Sequence, residues 1–131
     1  MPTRLRPRHP TVRRASRRVL LSAEDSFLAL WRAAAGPPLE REARFDGTRR
    51  WRFDFAERGS QVAVEIEGGI WIQGRHLRAR GYEADCEKYS VAALQGWAVI
   101  RLTPRMVRQE GADWVTRILA VVSARRQGRA V

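Results

Sequence analysis

Two short stretches of strict alternation, RRWRFDFA (49–56) and VAVEIE (62–67), constrain this chain more than any other feature. Side chains two residues apart share one face of a strand. Trp51, Phe53 and Phe55 are therefore expected on one face of the first strand, with Arg50, Arg52 and Asp54 on the other. In the second, Val62, Val64 and Ile66 face away from Ala63, Glu65 and Glu67. The intervening ERGS (57–60) reads as a turn, so the two strands form a hairpin. Closure near Ala56 and Gln61 sets Asp54 opposite Ala63. Glu65 is then a diagonal neighbour of Asp54 on the same face, a relation that a two-residue slip preserves. Asp54, Glu65 and Glu67 thus converge on one sheet face. Like charges so close repel, and either water on an exposed face or a cation must compensate them.

The rest of the chain supplies helices and one further strand. SAED at 22–25 matches the S-x-x-D capping pattern and opens a helix that runs to about Ala35, ended by GPP at 36–38. Phe27, Leu28, Leu30, Trp31 and Ala34 form its apolar stripe. Glu24 stands at the edge of that stripe, where the helix dipole also favours an acid. GGIWIQGRHLRARGY (68–82), with four glycines, reads as a loop; no G-K-S/T follows, so it is not a Walker loop. EADCEKYSVAALQ (83–95) is a second helix ending at Gly96, WAVIRL (97–102) a buried strand closed by Thr103-Pro104, and about 113–124 a packed C-terminal helix. The expected fold is α/β: a single mixed sheet flanked by helices over residues 21–131, preceded by a basic flexible arm over 1–20.

Charge points to the partner. The 131 residues carry a net charge of +11, from 24 Arg, a single Lys (Lys88) and 14 acids. Such a balance suits a polyanion, most often nucleic acid. Residues 1–20 hold seven Arg and no acid, so Arg13, Arg14, Arg17 and Arg18 are candidate backbone contacts, together with Arg75 and Arg78. The arm has a twin-arginine look, but SAEDSFLALW places two acids where the apolar part of a signal should be, so export is not expected. No apolar run reaches the length of a membrane span. The expected compartment is the cytoplasm of a bacterial host cell. A lone cysteine, Cys86, excludes an internal disulfide and a cysteine-based zinc cluster, and its helical setting suggests a small buried residue.

Carboxylates on a basic protein suggest one chemistry above others. Mg²⁺ or Mn²⁺ is held by a few carboxylates plus water and phosphate oxygens. On a phosphodiester such an ion polarises the phosphoryl group and activates water. Two-histidine zinc sites are not available, because His9 lies in the arm and leaves His76 alone in the fold. His76, beside Arg75 and Arg78, suits a phosphate contact better than a general base.

The ordered series FDF, VAVEIEGGIW, GRH, DCEKY and LQGWAVIRLTP resembles the PD-(D/E)XK nuclease superfamily. Within it, the chain is most similar to the compact branch of very-short-patch-repair-like endonucleases and small endonuclease-like proteins of bacteria and phages. The resemblance spans about residues 22–104. It implies a restriction-endonuclease-like fold and a metal-dependent DNA endonuclease or nickase, acting in phage or mobile-element DNA processing or repair. A non-catalytic nucleic-acid-binding module on the same fold is the alternative. By position, the resemblance makes Asp54, Glu65 and the carbonyl of Ile66 metal ligands, with Glu24 a direct or outer one. His76 is the histidine of the matched series and, with Arg75, is a further catalytic candidate. Glu67 occupies the place of the superfamily lysine. Lys88, in the D-x-x-K of the second helix, is the candidate for the missing charge, although Asp85 three residues earlier offers it a surface partner instead. The oligomeric state, monomer or homodimer, is not legible.

Overall fold

A computed structural model describes residues 21–68 and 75–128, without the side chains of 75–80. The arm, with Arg13, Arg14, Arg17 and Arg18, lies outside the described residues. Helix α1 spans Ala23–Ala33, strand β1 Glu40–Arg44, β2 Arg52–Glu57, β3 Val62–Ile66, helix α2 Arg75–Leu94, strand β4 Ala98–Leu102 and helix α3 Pro104–Arg126. The four strands form one mixed sheet in the order β1-β2-β3-β4. The first two pairings are antiparallel and β3–β4 is parallel. A parallel pair cannot be joined by a tight turn, and α2 supplies the crossover. No helix among the described residues is long and apolar enough to cross a membrane.

Each face of the sheet is covered differently. On one side α1 and α3 pack Phe27, Trp31, Val107, Val115, Ile118 and Val122 against Phe55, Val62, Val64 and Ile66. On the other, a smaller cluster joins Ala43, Phe53, Ala56 and Ala63 of the sheet to Ala92 of α2 and to Trp97. Alanines on that face let α2 lie close to the sheet. Ser22 caps α1 as its sequence pattern predicts, its hydroxyl accepting from the Asp25 amide at 3.1 Å. The helix leaves through Ala35, which takes a left-handed φ of 56°. The next residue, Gly36, has no room for a Cβ because the Trp31 indole fills that space.

Several expectations from sequence are corrected. The hairpin closes two residues from the expected register: Ala56 pairs with Ala63 and Glu57 with Val62, which brings Asp54 level with Glu65. Trp51, Phe53 and Phe55 do not share a face. Phe53 belongs to the α2-side cluster and Phe55 to the α1/α3-side cluster. Alternation breaks between them where Glu42, across β1 from Asp54, adopts a φ of 51°. The glycine-rich 68–82 segment is not all loop, since α2 begins at Arg75 and runs through Gly81. One exposed glycine costs a helix only about 1 kcal/mol, which a 20-residue helix absorbs. Helix α3 starts at Pro104 rather than near 113, with Thr103 as its cap and a non-helical Glu110 marking a kink. Thr-Pro ends the strand and also makes a favourable N-cap and first helical position. Strand β1 has no counterpart in the sequence reading. Cys86 is exposed rather than buried.

Candidate active site

The β2–β3 ladder ends at the pair Phe55 and Val64. Beyond it the Asp54 side chain takes over the hydrogen bonding: its Oδ2 accepts from the Ile66 amide at 2.7 Å. That bond anchors a half-buried carboxylate where the strands part. Glu24, from the first turn of α1, and Glu42, from β1, bring their carboxylates to it. One oxygen from each of Glu24, Glu42 and Asp54 lies within 4.8 Å of the other two. Burial raises the pKa of Asp54; the Ile66 amide opposes this and the Glu42 charge reinforces it. Glu24 is raised too, first by burial and then by the Asp54 charge, against the pull of Arg41. Arg41 Nη2 sits 3.2 Å from Glu24 Oε2. Among the described residues, no lysine or arginine lies within 4 Å of the carboxylates of Glu42 or Asp54.

Glu65 stands apart from this trio. It is buried, and its Oε1 accepts from Lys88 Nζ at 2.9 Å. Lys88 reaches the site from α2, also donating to the Arg52 carbonyl at 2.6 Å and lying 5.7 Å from the centre of the Phe53 ring. It does not pair with Asp85, which instead faces Arg101 at 3.8 Å. Burial raises the Glu65 pKa, and the hydrogen bond and charge of Lys88 counter it. The Glu67 carboxylate accepts from Arg101 Nε at 2.6 Å, and the Arg101 guanidinium stacks 4.2 Å over the Tyr89 ring. Burial, together with the Glu65 and Glu67 charges, drives the Tyr89 phenol upward and keeps it protonated.

The structure therefore brings Asp54 to Glu24 and Glu42, Glu65 to Lys88 and Glu67 to Arg101, so the three carboxylates expected to converge on one face, Asp54, Glu65 and Glu67, do not form one cluster. Arg75, His76 and Arg78 lie on the first turns of α2, not in a loop; their side chains fall outside the described residues. Sequence reasoning missed Glu42. It sits on an edge strand without alternation, and only the fold brings it to Asp54. The donor set suits a hard divalent cation: three carboxylates lie close together, and burial raises the pKa of two of them, Glu24 and Asp54. Comparison of the chain with protein-family models, curated proteins and solved structures yields no match.

Proposed function

We propose that this protein is a Mg²⁺- or Mn²⁺-dependent DNA endonuclease or nickase with a restriction-endonuclease-like fold. We place it in phage or mobile-element DNA processing or repair. The observation that carries the reading is the gathering of the Glu24, Glu42 and Asp54 carboxylates where β2 and β3 part, with the Glu65–Lys88 pair level with Asp54 on the neighbouring strand. Asp54, Glu24 and Glu42 would hold the cation, with Glu65, level with Asp54 on β3, serving through water. The ion supplies polarisation of the phosphodiester and activation of water. Lys88 spends two of its three N–H donors on Glu65 and the Arg52 carbonyl, leaving one for a water or a phosphoryl oxygen. Lys88 would thus bring from α2 the positive charge that Glu67 does not provide. The Ile66 amide fixes Asp54 so that its carboxylate need not reorganise.

The deciding experiment is incubation of supercoiled plasmid with purified protein. Nicking is expected with Mg²⁺ or Mn²⁺, and none with EDTA or with Asp54→Asn. An intact plasmid under both metals, or nicking that survives EDTA, overturns the proposal.

A further inference from the structure

The β1–β2 ladder carries a second charged pair one step along from the carboxylates. Arg44 lies directly opposite Arg52, just beyond the buried pair Ala43 and Phe53. Ala43 and Phe53 point toward α2. Alternation therefore turns Arg44 and Arg52 to the other side of the sheet, where Glu24 of α1 meets Glu42 and Asp54. Both arginines are exposed. Among the described residues no carboxylate comes within 4 Å of either guanidinium, whereas the other strand arginines, Arg41 and Arg101, each have two. Like charges directly opposite on a ladder destabilise it, so this pair works against the fold unless an anion lies across it. The strand rise sets the arginines about 7 Å from Glu42 and Asp54, close enough for one polyanion strand to touch both. Lys88 holds the Arg52 carbonyl, tying this pair to the ammonium that binds Glu65.

We propose that Arg44 and Arg52 form a clamp for the phosphodiester backbone of nucleic acid, next to the carboxylate site. The inference rests on the reading of the protein as one that acts on DNA. An open strand surface on a chain of net charge +11 suits a continuous polyanion better than a single enclosed phosphate.

The test is binding in EDTA, where no cleavage occurs. A labelled short duplex is titrated with the parent protein, Arg44→Gln/Arg52→Gln and Arg44→Lys/Arg52→Lys, over salt from about 50 to 200 mM. The glutamine variant should bind about tenfold more weakly, with a salt slope lower by about two, while the lysine variant keeps the slope. Without nucleic acid the glutamine variant should melt one or more degrees higher, because the repulsion is gone. Affinity and slope equal to the parent's would overturn the clamp. So would inorganic phosphate protecting the parent from heat as well as duplex does at equal phosphate concentration, since the pair would then be a simple anion site. Plasmid nicking is scored separately: the expected binding result in a protein that never cleaves keeps the clamp and removes the endonuclease reading.

Discussion

Replacing Lys88 with methionine should cost both stability and cleavage, and the stability cost should depend on pH. The Lys88 and Glu65 side chains are 15% and 11% exposed, so the pair is almost fully withdrawn from water. Lys88→Met removes the bonds to Glu65 and to the Arg52 carbonyl and leaves a buried carboxylate unpaired. Breaking a buried pair from one side costs about 3–5 kcal/mol, and the residual exposure here lowers the expectation to about 2–4 kcal/mol at pH 7. The variant can limit the loss by protonating Glu65. Burial already pushes that pKa up, and the bond and charge that oppose it come from Lys88. An acid whose folded pKa lies above its unfolded value binds its proton more tightly in the folded state. Its penalty is full above the folded pKa and vanishes below the unfolded one. The deficit of Lys88→Met should therefore shrink as pH falls from 7 toward 4.5. Urea melts of the parent, Lys88→Met, Glu65→Gln and the double variant at both ends of that range measure it. The double variant should recover most of the loss, with a coupling above about 1 kcal/mol. At a temperature where every protein is folded, Lys88→Met should cleave at least about a hundredfold more slowly. A deficit that does not change with pH, together with additive single variants, would refute the assigned pairing. Normal cleavage by Lys88→Met would refute its role in the site.

Further outcomes follow from other parts of the fold. Asp54→Asn should abolish cleavage while duplex affinity in EDTA stays equal or rises, since a negative charge leaves the surface; cleavage at the parental rate would remove Asp54 from the site. Glu57 is buried at the hairpin turn. Burial alone would raise its pKa, but Arg126 and Ser60 together bring it from 4.5 down to about 2. A depressed acid stabilises the fold above its unfolded pKa and loses that contribution as pH falls toward the folded one. The parent should thus lose about 1–2 kcal/mol between pH 4.5 and 2, after allowance for solvent around the half-exposed Arg126. Arg126→Gln should flatten that part of the acid titration in urea melts. Gly36→Ala should lower stability by about 1–3 kcal/mol, because a Cβ there would collide with Trp31 Nε1, and that indole is held by its bond to the Pro37 carbonyl. An unchanged melting temperature would show that the indole can move aside.

The local order of residues determined much of this protein. Alternation in 52–57 and 62–66 encodes two strands; Ser22 and the stripe of Phe27 and Trp31 encode α1; the ERGS turn joins the strands. These signals are local, because strand and helix periods and caps depend on near neighbours. Lys88 stands out as the one lysine in an arginine-rich chain, and the fold pairs it with Glu65. Tertiary structure decided the rest. Strand β1 has the polar sequence EREAR and is a strand only because β2 offers it a ladder, so Glu42 could not be seen as a neighbour of Asp54. The face of Phe53 followed from a break in alternation opposite Glu42, which depends on a backbone conformation rather than on residue type. Gly81 and the glycines before it resemble a loop in isolation, yet α2 runs through Gly81 because packing of its later turns on the sheet outweighs one weak helix position. Register settled the site itself: a shift of two residues in the hairpin carries Asp54 from the level of Ala63 to that of Glu65, and only the closed turn and the packed faces choose between them.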